Sequence, residues 1–245
     1  TGAALLAARA ALHLGAGRVY VGLLERLALD PQHAELMLRA PEEAIAMAST
    51  AVVGPGLGDT PAADAWLIRL VSADFPVLFD ADALNRLARR PDLGERVAAR
   101  HAPTVLTPHP AEAARLLGVD TAQVQADRIA AALQLAQRYH AVVVLKGNGS
   151  VVADATGQWR INTTGNPGLA GGGSGDVLAG IVGALLAQGW PAWQALTAGV
   201  HLHGAAADRC VAQGQGPVGL TAGELIPAAR SVLNRWIAAA SPSIN

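Results

Sequence analysis

Short apolar runs recur along this chain, each followed by a helical stretch, and that alternation restricts the possible fold more than any other feature. Residues 18–23, 50–53, 76–80, 104–106 and 141–145 read as strands, rich in β-branched and large aliphatic side chains. Between and around them, helices are predicted over 1–14, 41–47, 61–73, 93–100, 111–118, 121–139, 177–187 and 191–212. Residues 28–40 are mixed and take no clear assignment, whereas 151–153 and 158–161 read as a hairpin around Ala155-Thr156-Gly157. Thr221-Ala222-Gly223-Glu224 is a capping-box pattern opening a last helix. Strands alternating with helices build an α/β fold, a mostly parallel central sheet with helices on both faces. With no repeat, low-complexity run or linker, the chain reads as a single domain over 1–245.

In such a sheet, ligands bind beyond the carboxyl ends of the strands. Four strands here end in residues able to do chemistry. Gly54-Pro55-Gly56-Leu57-Gly58 follows one; Asp80, Asp82 and Asn85 follow the next. His109, between two prolines, follows the third, and Lys146-Gly147-Asn148-Gly149-Ser150 the fourth. Each also has a plain structural reading. The glycine turn matches neither the dinucleotide fingerprint nor the Walker loop. The carboxylates can cap a helix or hold Mg²⁺ through water. His109 can be a turn residue, and Lys146 can end a strand in solvent or contact phosphate with Ser150. Their convergence on one sheet edge favours a site.

A fifth element is Gly171-Gly172-Gly173-Ser174-Gly175-Asp176, directly before the apolar run from Val177. A glycine loop opening into a helix leaves backbone N–H groups unpaired, and with the helix dipole these seat an anion. Asp176 beside that seat would repel the anion unless it takes a proton from a hydroxyl about to be phosphorylated. The alternative is an Asp serving as the helix N-cap. His201 and His203, on an Ala-rich helix, read as packing residues.

Composition narrows the functional classes. A formal net charge of −1 without a Lys/Arg block argues against a nucleic-acid footprint and a polybasic membrane anchor. The single cysteine, Cys210, excludes an internal disulfide framework and fits the reducing cytoplasm. No dedicated metal-ligand set stands out.

The motifs, taken in order, resemble the ADP/ATP-dependent NAD(P)H-hydrate dehydratase family, a branch of the ribokinase-like superfamily. The matching stretches are Gly2-Ala3-Ala4-Leu5-Leu6-Ala7, the 54–58 turn, Asp80-Ala81-Asp82-Ala83-Leu84-Asn85, Leu106-Thr107-Pro108-His109-Pro110, Leu145-Lys146-Gly147, Asn162-Thr163-Thr164-Gly165-Asn166-Pro167-Gly168, and Gly172 through Gly180. Two departures stand out. The Lys-Gly stretch and strand usual before Gly2 are absent, so a strand at the front is expected to be missing. The family's His-Pro-Gly-Glu is His109-Pro110-Ala111-Glu112 here.

The resemblance implies a three-layer ribokinase-like fold and repair of the S epimer of hydrated NADH or NADPH. Phosphorylation of the ring hydroxyl would turn it into a leaving group, with ADP, or ATP, as co-substrate alongside Mg²⁺. Asp176 would be catalytic. Ala3, Gly56, Asp82, Asn85, His109 and Asp176 would contact the hydrated cofactor. Lys146, Gly147, Asn148, Gly149, Ser150, Gly172, Gly173, Ser174 and Gly175 would bind the nucleotide. A homo-oligomer, a tetramer by resemblance, and fusion or coupling to an epimerase are further expectations. The competing reading is an ATP-dependent kinase of a small-molecule hydroxyl, of thiamine-precursor or sugar type.

Overall fold

Valine and leucine runs without polar interruption demand cover on both faces, and they receive it. The computed structural model describes residues 2–25, 30 and 32–240. Its central sheet has six strands, β3 (Ala51–Val53), β4 (Val77–Phe79), β5 (Thr104–Leu106), β6 (Val142–Leu145), β7 (Val151–Ala153) and β8 (Trp159–Ile161), in that spatial order. β3 to β6 are parallel; β7 and β8 complete the sheet as an antiparallel hairpin. Two further strands, β1 (Tyr20–Gly22) and β2 (Met37–Arg39), pair in parallel as a separate small sheet. β2 falls in the stretch left unassigned from sequence, of which residues 28, 29 and 31 lie outside the described residues, as does Thr1 of the first predicted helix.

The period of two sorts the strand residues into layers. Phe79, Leu106, Val143 and Leu145 face one core with α3 (Pro61–Val71), α4 (Ala81–Arg89), α5 (Pro91–Ala98), α6 (Pro110–Leu117), α7 (Thr121–Ala126) and α8 (Arg128–Tyr139). Leu78, Val105, Val144 and Val152 face the other, against α9 (Ser174–Ala187) and α10 (Ala192–Ala212). Each such side chain, when fully buried, contributes about 1.5–3 kcal/mol. α1 (Gly2–His13) and α11 (Ala222–Ala240) pack outside α9 and α10, so α9 is buried almost all round. α2 (Pro41–Ala46) lies against β1.

Close approach explains a glycine in α9. A β-carbon at Gly180 would overlap the Ala7 carbonyl oxygen, so glycine lets α1 reach α9. Leu6 lies beside Gly173 and the Leu14 carbonyl beside Gln188, so the two helices run parallel.

One expectation is corrected and two open points are decided. The helix predicted over 121–139 is two helices. Asp127 breaks it by turning to φ −142° and accepting the Ala130 N–H at 2.9 Å, capping α8. The stretch after Asp80, given no element from sequence, is the start of α4. Asp176 is not an N-cap: α9 begins at Ser174 after Gly173 at φ +86°, which puts Asp176 in its first turn.

Candidate functional site

Parallel strands that follow one another in the sheet end at one edge, and β3 to β6 carry their terminal residues there. Asp80 extends β4 and is 1% exposed. Gly54, at φ +122°, ends β3 so close beneath it that a β-carbon would overlap the Asp80 carbonyl oxygen. The glycine turn after β3 is therefore docked on the start of α4, where Asp82 accepts the Gly58 N–H at 2.8 Å. Ala81, between the two carboxylates, has φ +48°, a left-handed conformation that costs a non-glycine residue about 1–3 kcal/mol. The surrounding contacts enforce it, and it sets the direction in which Asp80 and Asp82 project.

Lys146 leaves β6 with its N–H donating to the Pro108 carbonyl at 2.9 Å. Its ammonium reaches across β5 to Asp80, Nζ to Oδ1 at 2.8 Å. The ammonium also lies over the first turn of α9: a β-carbon on Gly175 would stand 3.2 Å from Lys146 Nζ. Asp176 shares this neighbourhood. Burial first, then the Asp80 carboxylate, push its carboxyl up to about 6, with Asp82 adding to the rise and Lys146 opposing it.

His109 caps α6. Its Nδ1 accepts from the N–H groups of Ala111 at 3.1 Å and Glu112 at 3.4 Å, and Glu112 Oε2 accepts the His109 N–H at 2.8 Å. Accepting at Nδ1 assigns the neutral ring's proton to Nε2, which lies 3.4 Å from Glu112 Oε1. Burial lowers the His109 pKa, against the pull of Glu112, and the Lys146 and Arg115 charges lower it further. Asp80 and Lys146 thus act on both His109 and Asp176, and the four groups form one charged crevice.

The other residues singled out from sequence distribute around it. Asn85 accepts from Arg115 Nη1 at 2.8 Å, tying α4 to α6 beside the crevice. Gly147, Gly149 and Ser150 form a turn after β6 in which Ser150 Oγ accepts the Gly147 N–H at 3.2 Å and donates to its carbonyl at 3.0 Å. Asn148 is exposed at its tip. Gly172, Gly173, Ser174 and Gly175 lead into α9, with Gly172 exposed and Ser174 buried. Ala3 is half-buried in the first turn of α1, at the end that runs beside the start of α9. Gly56 lies on the wall of a cavity of about 680 Å³ between α1, β1 and β3, a cavity whose lining includes neither Asp176, His109 nor Lys146. Among the described residues, no group of three His, Cys, Asp or Glu could hold a metal ion. Among the described residues, no helix is long and apolar enough to cross a membrane.

Three residues that frame the site were not singled out as site residues. Arg128 fastens the loop after β6 by donating to the carbonyls of Leu145, Lys146 and Gly149 at 3.1–3.4 Å. Asp208 accepts from Gly165 N–H at 2.8 Å and Asn166 Nδ2 at 3.0 Å, holding the approach to the glycine loop. His203, read as packing, lies 3.3 Å through Nε2 from Ser174 Oγ. Their sequence signal was slight, because each sits in helical sequence and acts on a loop distant in the chain.

The chain that carries this crevice is similar to known proteins along nearly its whole length. The NAD(P)H-hydrate dehydratase profile covers residues 1–228. The chain belongs to the NAD(P)H-hydrate dehydratase family. An ADP-dependent (S)-NAD(P)H-hydrate dehydratase of Neisseria meningitidis is 46% identical over 243 residues, 96% of this chain and 81% of that one. The bifunctional NAD(P)H-hydrate repair enzyme of Coxiella burnetii is 39% identical over 95% of this chain, which spans 48% of that protein. Among solved dehydratase structures, the ADP/ATP-dependent enzyme of Bacillus subtilis, co-crystallised with ATP/Mg²⁺, superposes with a TM-score of 0.81 at 32% identity, over 96% of this chain and 87% of that one. A ribokinase-like superfamily protein of Enterococcus faecalis superposes at 0.80 with 25% identity, over 96% and 83% of the two chains. The family's fold is thus the ribokinase-like one, three layers with the mostly parallel sheet in the middle.

Proposed function

We propose that this chain dehydrates the S epimer of hydrated NADH and NADPH at the expense of an adenine nucleotide, ADP by preference, which leaves as AMP. Hydroxide is a poor leaving group from the nicotinamide ring. Transfer of the terminal phosphoryl to the ring hydroxyl replaces it with phosphate. The ring nitrogen lone pair then breaks the carbon–oxygen bond, phosphate departs, and loss of a neighbouring ring proton restores the dihydropyridine.

In this reading Asp176 takes the hydroxyl proton as the oxygen attacks phosphorus. The N–H groups from Gly173 to Asp176, at the positive end of α9, hold the transferring phosphoryl; such a terminus supplies about 0.3–1 kcal/mol, up to about 2 in favourable geometry. Lys146 contributes a point charge on the same side. The turn at Gly147, Asn148, Gly149 and Ser150 carries the nucleotide. Ala3, Gly56, Asp82, Asn85 and His109 border the hydrated cofactor, with His109 presenting a neutral ring. Mg²⁺ would ride on the nucleotide's phosphates, and the hard carboxylate oxygens of Asp80 and Asp82 suit its water shell. The observation that carries the reading is the family match over residues 1–228, with Asp176 in the first turn of α9 where the Lys146 ammonium, paired with Asp80, lies against Gly175.

A homo-oligomer in the cytoplasm is part of the same proposal, as is a coupled epimerase, which the bifunctional relatives support by name. The test is to supply hydrated NADH with ADP or ATP and follow the return of reduced-nicotinamide absorbance. Recovery with either donor supports the dehydratase. No recovery, with nucleotide consumed on a thiamine-precursor alcohol or a sugar, assigns the chain to small-molecule kinases instead.

A further inference from the structure

The chain between β8 and α9 is glycine-rich and is fastened to one helix, α10. Thr164 Oγ1 donates to the His201 carbonyl at 2.9 Å. Asp208, two turns further along α10, takes the Gly165 amide and the Asn166 side chain. The last fastening is Ser174 Oγ to His203 Nε2, 3.3 Å apart, between residues only 6% and 7% exposed. Ser174 is the first residue of α9 and stands two residues before Asp176. No side chain caps α9, whose N-cap is Gly173, so the direction of its first turn is not set by the usual local device.

A histidine buried in an Ala-rich helix needs a hydrogen-bond partner, and Ser174 supplies it. Burial, opposed by the Ser174 carbonyl and reinforced by Lys146, lowers the imidazole to about 4. It is therefore neutral at physiological pH and places no second cation beside Lys146. Resting on the dehydratase reading, we propose that His203 is a positioning residue for this reaction: through the Ser174 hydroxyl it fixes the first turn of α9, and with it the aim of the Asp176 carboxylate and of the phosphate-facing amides.

Four variants test this: Ser174→Ala, His203→Leu, His203→Gln, whose amide nitrogen can reach the place of Nε2, and the Ser174→Ala/His203→Leu pair. Ser174→Ala and His203→Leu should each lower kcat about ten- to a hundredfold, with KM for the hydrated cofactor within about twofold of wild type, because misaiming by a fraction of an ångström is costly. Nucleotide Kd, measured by calorimetry, should weaken about fivefold, roughly 1 kcal/mol. The double variant should be no worse than the poorer of the two single variants, because both changes break the Ser174 Oγ–His203 Nε2 contact. His203→Gln should recover most of the loss. A folded His203→Leu with wild-type kcat and nucleotide Kd overturns the proposal, as does a double variant whose loss is the product of the single losses. If His203→Leu does not fold, Ser174→Ala decides: unchanged kcat and Kd overturn it. If wild type fails to restore hydrated NADH, the reaction reading falls by itself, and nucleotide Kd across the four variants still reads the coupling.

Discussion

An ordinary aspartate is a weak base toward an alcohol, and Asp176 is not ordinary. Burial and the Asp80 carboxylate hold its carboxyl at about 6, so it is ionised at neutral pH and more basic than an exposed Asp. Turnover should therefore fall as pH drops through about 6. Lys146 opposes that rise, so Lys146→Met should move the acid limb of kcat to higher pH; an acid limb that stays put would separate the two groups. The same shift has a consequence for stability. The native state holds the Asp176 proton more tightly than the unfolded chain does. Its contribution is thus fully present below the unfolded pKa of 3.8 and is lost as pH rises through about 6. Asp176→Asn should accordingly raise Tm at pH 7.5, and the difference should vanish below pH 3.8; a thermal melt at both values checks it.

The crevice is assembled from element ends, and the tightest joint is that between β3 and β4. Gly54→Ala would force a β-carbon into the Asp80 carbonyl at a backbone angle that L-residues rarely adopt. The expected result is a loss of about 1–3 kcal/mol in denaturant melts, with activity in the folded fraction reduced because Ala81 and both carboxylates shift. Equal stability would show that the turn is not fixed there. Much of this site was legible in the sequence. Asp80, His109 and Lys146 follow apolar runs, and parallel strands in an alternating chain finish at one edge. The glycine loop before an apolar run pointed to a helix mouth, and Gly173 and Ser174 open α9 there. What could not be read was long-range. Helical periodicity runs straight through Asp127, and only the structure shows its turn capping α8. Arg128, His203 and Asp208 act on loops up to 43 residues away in sequence, through contacts with no local pattern. The role of Asp176 as cap or base was undecided locally, and the placement of Gly173 at φ +86° removes the cap.

At the scale of the whole molecule, the two sides of the crevice come from different layers. Asp80, His109 and Lys146 stand on the sheet edge, and Asp176 stands on α9, which is pressed onto the sheet by Leu178, Val182, Leu185 and Leu186. A nucleotide bridging the loop after β6 and the mouth of α9 would hold the layers together. ADP at a hundred times its Kd should add about 2.7 kcal/mol to the unfolding free energy. For a chain of this size that raises Tm by roughly 5–11 °C, readable in a thermal shift assay. No shift with ADP or ATP would remove the nucleotide from the crevice.

The most direct measurement compares wild type with Asp176→Asn in the hydrated-NADH assay, alongside nucleotide binding by calorimetry. The expected result is a fall in kcat of about a hundred- to ten-thousand-fold with nucleotide Kd nearly unchanged, the signature of a lost base in an intact site. Turnover close to wild type in that variant would contradict the assignment of Asp176 as the group that takes the hydroxyl proton.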